Sequence, residues 1–475
     1  MATLDSSILV VGLPQVVAGL QTNFLVGVWF ITIYRLMITI LLVVFGRIAD
    51  LYGRVRLYTM GFAVFTIGSF LSGVSLSAEE LLGFRLVQGI GAALLFVNSI
   101  AIVTDAFAGG HDLGKGIGIN QVAINAGTIT GYTLSGVMIQ FFTWRSIFLV
   151  NVPVGIFGTY WSHRRLKEIP HGVRQDRLDV IGAVAFSIAI TMLLLGFTIG
   201  GITDLFSLTL IGSSIVVLAI FVLYEKRARF PVLDLSLFRI RLFTAGNIAN
   251  LVSGLGFAAL AFLMTLYFQL VRGYDPFRAG IALVPLDVTL ILIGPISGIL
   301  SDRHGARGLS TLGLIIAAIG FFVLSTVQVA TSYFYIAGAL VLVGLGIGMF
   351  RSPNANSVMG SLPATKRGIG SGVRGTIINT SIVASIPLAT ILMTADIPYQ
   401  KLVGIVNASA TGGNGNIHIA SSDLPGFLIG VQHALLIFSI IVLGAAIFSL
   451  MRGPSIMVEH VEEPSIGMRE APAGD

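Results

Sequence analysis

The sequence predicts an all-α membrane protein. Three observations predict it: very little charge, a long series of apolar runs, and basic residues that collect in alternate gaps between those runs. Of the 475 residues, 55% are hydrophobic and 11% are charged, with a mean hydropathy of +0.93. A soluble domain carries about 25% charged residues. Too few polar side chains exist here to coat a water-facing surface, so lipid must cover the rest. The net charge of +6 does not mark a nucleic-acid binder, because Lys and Arg are dispersed between apolar runs rather than gathered on one patch. The chain has no cysteine, which excludes disulfides and thiolate metal sites. The apolar N-terminus is followed by many further runs and reads as a first helix, not a cleaved signal.

A span needs about 20 apolar residues. Runs of that kind fall near 4–20, 25–45, 57–76, 80–104, 117–140, 146–162, 179–200, 206–224, 243–271, 279–300, 309–329, 333–350, 370–395 and 427–451. These fourteen are read as helices, since backbone groups in hydrocarbon must be satisfied within their own segment. An even count puts both termini on one side. With that side cytoplasmic, nineteen Lys and Arg fall in inner loops, Arg351 among them, and four in outer loops. That is a strong positive-inside bias. The longest outer loop, 396–426, is rich in Gly, Asn and Ser, and the tail 453–475 is expected to be disordered.

Two loops repeat. Gly46, Asp50, Gly53 and Arg54 lie in one; Gly298, Asp302, Arg303 and Gly305 lie in the other. Gly, Asp and Gly recur at an offset of 252. Each follows a helix descending to the inner side, and eight helices separate them. This predicts two pseudo-symmetric six-helix bundles, 1–165 and 242–452, with an inserted helix pair at 178–226. Duplicated helical halves suit a transporter, because rocking one against the other alternates access to a central site. The glycines permit a tight turn, and the Asp can accept bonds from the amides of the next helix. Nearby arginines can pair with acids of the other half, so the loops form a conformational latch.

With these loops the residues resemble the major facilitator superfamily, in its fourteen-helix drug:proton antiporter branch. Arg85-Leu86-Val87-Gln88-Gly89 is similar to the helix 4 motif of that family, and Leu4-Asp5-Ser6-Ser7-Ile8 through Leu13-Pro14 to its helix 1 motif. Trp144-Arg145 with Phe148, Asn151, Pro153 and Gly155 is similar to the segment entering helix 6, and Tyr267-Phe268-Gln269 to the segment around helix 9. The helix 5 motif is altered. Gly127, Gly131 and Gly136 are present, but Tyr132 stands where the family has Pro and Ser135 where it has Gly. That motif is associated with antiport in the family. Only four residues precede Asp5, where the family has about half a helix. Either the chain begins late, or helix 1 is short and Asp5 lies near water.

A charge deep in a membrane helix costs about 2.5–3.5 kcal/mol or more, so each one calls for a reason. The resemblance implies proton coupling for Asp5 and Arg85. Asp287 sits beside Pro285, which frees a backbone carbonyl and kinks the helix, and so joins them as a proton or cation binder. Arg35 has no acid at helical spacing and is expected in a substrate cavity, with Tyr34, Gln88, Asn98 and Tyr267. No phosphate loop, metal-ligand pairing or nucleophile beside a histidine occurs. No metal and no cofactor are therefore expected, and an intramembrane enzyme is the remote alternative. The expected function is proton-coupled efflux of small amphipathic molecules or drugs by a monomer in the cell membrane, with lipid, substrate and protons as its partners. Arg35 and the altered helix 5 favour the alternative, a facilitator or importer of an anionic metabolite.

Overall fold

The computed structural model describes residues 1–106, 113–168, 179–199, 205–228, 235–362, 367–394 and 424–453. The expected loop 396–426 and tail 453–475 lie outside these residues except at their edges. Among the described residues the chain is helical and has no strand. The helices are α1 (Ala2–Gly19), α2 (Phe24–Tyr52), α3 (Arg54–Val74), α4 (Ala78–Ala106), α5 (Leu113–Phe141), the single turn α6 (Ser146–Leu149), α7 (Asn151–Arg165), α8 (Val180–Ile199), α9 (Leu205–Glu225), α10 (Arg241–Leu266), α11 (Pro276–His304), α12 (Ala306–Leu324), α13 (Tyr333–Gly360), α14 (Arg367–Thr394) and α15 (Leu424–Leu450). Among the described residues ten helices are long and apolar enough to cross a bilayer. α2 and α8 carry shorter apolar stretches, 26–42 and 181–193.

Burial orders these helices. The most apolar stretches of α1 and α10 are 72% and 78% buried, whereas that of α9 is 17% buried. α1 and α10 are therefore central, and α9 turns Ile215, Val216, Ile220 and Leu223 outward. In water such a surface would drive association; in a bilayer it is the lipid contact.

The two repeated loops have the same backbone. α2 starts on Asn23, whose side chain accepts from the Val26 amide at 2.9 Å. α11 starts on Asp275, which accepts from the Arg278 amide at 2.9 Å, with Pro276 in its first turn. Each helix is 29 residues long, and their bounds share the 252-residue offset of the sequence repeat. Each stops at a glycine with positive φ, Gly53 at 101° and Gly305 at 81°, and the next helix begins at once. Only glycine adopts that conformation freely. The pairing expected of Asp50 and Asp302 lies outside the described side chains. Arg303 is exposed. A cap on α3 comes from Glu168, over a hundred residues away. Its carboxylate accepts from the amides of Arg54 (2.6 Å), Val55 (3.0 Å) and Arg56 (3.2 Å), where the helix dipole favours negative charge. Glu168→Ala is expected to cost about 1 kcal/mol, a typical N-cap loss, and to speed amide exchange at residues 54–56 without changing exchange elsewhere in α3.

α1 and α5 meet the second half of the chain away from these loops, at what we call the far end. The backbone there leaves α10 through a π-turn, Tyr267–Val271. From it Gln269 donates to the Val11 carbonyl (2.9 Å) and accepts from Gln15 (3.3 Å). α5 lies on α11, where Gly136 faces the Phe277 backbone and Gly280 the Tyr132 carbonyl. α2 lies on α14, with Leu42 against Gly375. α8 packs on both α2 and α14, with Leu36, Phe186, Ile190, Phe221 and Val383 in one cluster.

Arg351, read from the sequence as an inner-loop residue, is inside α13, which continues nine residues beyond it. Its inclusion among the loop arginines is corrected accordingly: the apolar run stops at Phe350, but the helix does not.

Candidate functional site

Two groups of charge sit within the bundle. The first is packed. Asp5 has no exposure and lies level with Tyr34, whose hydroxyl donates to the Ala2 carbonyl at 3.1 Å. Burial speaks against the alternative in which Asp5 lies near water. Its Oδ2 accepts from Arg85 Nη1 at 2.5 Å. Its Oδ1 accepts from Gln88 Nε2 at 2.7 Å and from Asn151 Nδ2 at 2.9 Å. Gln88 also lies 2.7 Å from Ser69 Oγ and accepts from Arg85 at 2.6 Å. Arg85 Nε donates to the Phe30 carbonyl at 3.0 Å, and the guanidinium lies 4.2 Å from the Tyr34 ring centre. Arg85 Nη2 has no hydrogen-bond partner; the Tyr34 ring face beside it supplies a cation–π contact instead.

This network ties α1, α2, α3, α4 and α7 together. A buried charge pair holds only when its remaining lone pairs and donors are also satisfied, and losing one partner leaves the other charge uncompensated. Asn151 was quoted from the sequence only as part of a motif. A neutral amide carries little burial penalty to advertise it, and the signal available was its place at the start of α7.

The helix 5 motif serves both sides of α5. A Cβ on Gly131 would stand 2.6 Å from the Leu4 carbonyl, so only glycine admits α1 this closely. Ser135, the residue that departs from the family, donates to the Ile8 carbonyl at 2.6 Å. Gly136 and the Tyr132 carbonyl face α11, while the Tyr132 side chain reaches Ser7 of α1.

The second group of charge is only partly enclosed. Arg35 on α2, Asp287 on α11 and Arg374 on α14 are half-buried, and Arg351 on α13 is exposed. All four nevertheless stand well inside their helices with protein around them. Charges so placed are positioned to line a cleft between the helices. Tyr132 links the sides: it interacts electrostatically with Arg35 of its own half and with Asp287 and Arg351 across the cleft. Arg351 is the charge that acts on Asp287, and it acts also on Arg374. Asp287 Oδ2 and the Nε atoms of Arg35 and Arg374 have no hydrogen-bond partner. The sequence reading passed over Arg374, which sits in a Gly- and Ser-rich stretch that looks like packing.

Of the residues expected in the cavity, Arg35 is at the cleft. The others are fully buried. Tyr34 and Gln88 belong to the packed network. Asn98 donates to the Leu94 carbonyl of its own helix at 2.8 Å. Tyr267 donates to the Gln328 carbonyl at 2.7 Å near the far end. Among the described residues no group of His, Asp and Glu could hold a metal ion.

Comparison with known proteins agrees with this architecture. Residues 1–386 match the model of the Major Facilitator Superfamily. The riboflavin transporter RibZ of Clostridioides difficile is 31% identical over 424 residues, covering 89% of this chain and 92% of that protein. The multidrug resistance protein Stp of Mycobacterium tuberculosis is 30% identical, covering 85% and 76%. Among solved structures, a bacterial homologue of the lysosomal transporter Spinster, inward-facing and unoccupied, superposes with a TM-score of 0.68. It is 14% identical and the match covers 95% of this chain and 94% of that one.

Proposed function

The chain belongs to the Major Facilitator Superfamily, a multi-pass membrane transporter family, and on that premise we propose that it exports small amphipathic molecules in exchange for protons. In this reading fourteen helices cross the cell membrane with both termini in the cytoplasm, as in the drug:proton antiporter branch. Residues 1–165 and 242–452 form two bundles, α8 and α9 are the inserted pair, and Gly46, Asp50, Gly53, Arg54 and their counterparts Gly298, Asp302, Arg303 and Gly305 form the latch between states. Transport, not catalysis, is the activity.

The observation that carries the reading is the pairing of two carboxylates in different environments. Asp5 is dry and fully bonded. Asp287 is in the cleft with one oxygen unbonded. A carboxylate exposed to one compartment at a time can pick up a proton on one side and release it on the other as the halves rock. Asp287 fits that role, and Arg351 is the charge that acts on it. The Asp5–Arg85 pair ties together the helices around which the cleft forms. The name of Stp supports efflux, and that of RibZ supports a flat aromatic substrate.

Proteoliposomes with an imposed pH gradient test the reading. Substrate addition is expected to release lumenal protons. Asp287→Asn is expected to abolish that coupling, with at least a tenfold loss of gradient-driven transport, while substrate exchange at equal pH continues. Gradient-driven transport by Asp287→Asn at the wild-type rate would remove Asp287 from the mechanism.

A further inference from the structure

We propose that the cleft is built for an organic anion, bound by Arg35, Arg351 and Arg374. The proposal rests on the reading that the cleft is the substrate site, and names the substrate class. Arg351 acts on both Asp287 and Arg374, and Tyr132 links Arg35 to Asp287 and Arg351, so three guanidinium groups stand against one carboxylate and the lining carries excess positive charge. Arg351 and Arg374 act on each other as like charges. None of the three makes an ion pair among the described residues, where the pairs seen are Arg85–Asp5 and Arg278–Asp275. The Nε donors of Arg35 and Arg374 are out of contact with solvent and bond to nothing. A buried unbonded guanidinium donor is unfavourable, and an oxyanion satisfies it with a planar, charge-assisted bond.

The three come from α2, α13 and α14, so an anion reaching all of them bridges the two halves of the chain. α2 and α14 are in contact through Leu42 and Gly375, the latter adjacent to Arg374. Tyr132, between Arg35 and Arg351, offers a ring face for an apolar body. The fitting ligand is therefore a flat hydrophobic group bearing a carboxylate or phosphate.

Binding is tested on the purified full chain in nanodiscs of neutral lipid, by thermal shift and isothermal titration, with 1-naphthyl phosphate, 1-naphthol and 1-naphthylmethylamine. The phosphate ester is expected to bind saturably, at least tenfold tighter than the alcohol, with the amine weakest. Arg35→Gln, Arg351→Gln and Arg374→Gln are each expected to weaken the ester tenfold or more and the alcohol not at all. The corresponding Lys variants should recover part of the loss, and the unliganded melting temperatures show whether each variant is folded. Equal binding of ester and alcohol, or unchanged ester binding by a folded Arg374→Gln, overturns the proposal. Replacing neutral lipid by phosphatidylglycerol separates the sources of anion. If the lipid stabilises the wild type through these arginines and the ester does not displace it, the occupant is a headgroup and the soluble anion is refuted. Proton-coupled transport of a cation with no ester binding sinks this inference alone. Tight ester binding without transport of any probe sinks the transport reading instead.

Discussion

Asp5→Asn is expected to destabilise the protein by about 3–5 kcal/mol, the cost of removing one partner of a buried pair. The amide cannot neutralise Arg85. It also turns a donor toward Gln88 and Asn151, which already donate to that position. The guanidinium cannot escape to water, because it is fully enclosed by Tyr34, Phe148 and the Phe30 carbonyl. Denaturation in mixed micelles measures the loss. The double variant Asp5→Asn, Arg85→Gln removes both charges and should recover more than half of it. If the double variant is as unstable as the sum of the single ones, the pair contributes no coupling and the network is only packing. Loss of proton-driven transport should accompany Asp5→Asn even in the fraction that remains folded, since the helices that frame the cleft lose their common tie.

Gly136→Leu and Gly280→Leu are expected to drive the halves apart at the far end. At each site the added side chain meets backbone: Phe277 in one case and the Tyr132 carbonyl in the other. Backbone cannot rotate aside as a side chain can, so overpacking of about 1–3 kcal/mol is relieved only by separating α5 from α11. That energy shifts an equilibrium between two arrangements roughly 5- to 150-fold, at tenfold per 1.4 kcal/mol. The chain has no cysteine, so a single Leu283→Cys, fully buried one turn along α11 from Gly280, reports directly. Its alkylation should accelerate at least fivefold in the wedged variants. Gly338→Leu and Gly444→Leu, where an added Cβ meets nothing within 4 Å, should leave that rate unchanged. Equal acceleration in these controls would mean general loosening rather than opening of the seam.

What the sequence made legible was whatever carried a cost. Asp5 and Arg85 stood out as charges in apolar runs, and the structure brings them together at hydrogen-bond distance. The repeated turn was visible because a positive φ demands glycine at 53 and 305. Groups whose cost was hidden were missed. Asn151 is neutral. Arg374 sits among small polar residues. Arg351 ends an apolar run and so resembled the beginning of a loop. Helix lengths were also underread. α2 and α11 run about 43 Å at 1.5 Å per residue, against a hydrocarbon core of about 30 Å, and hydropathy is blind to the turns that project beyond lipid. Burial of Tyr34, Gln88, Asn98 and Tyr267 depends on contacts between helices remote in sequence, which no local pattern encodes.

The helix that leans on both α2 and α14 has a further consequence. Its cluster with Leu36 and Val383 spans the α2–α14 contact on one flank. On the opposite flank, α5 and α11 meet directly through Gly136 and Gly280. If the halves rock as proposed, the first flank shears and the second parts, which gives the protein a hinge side and a door side.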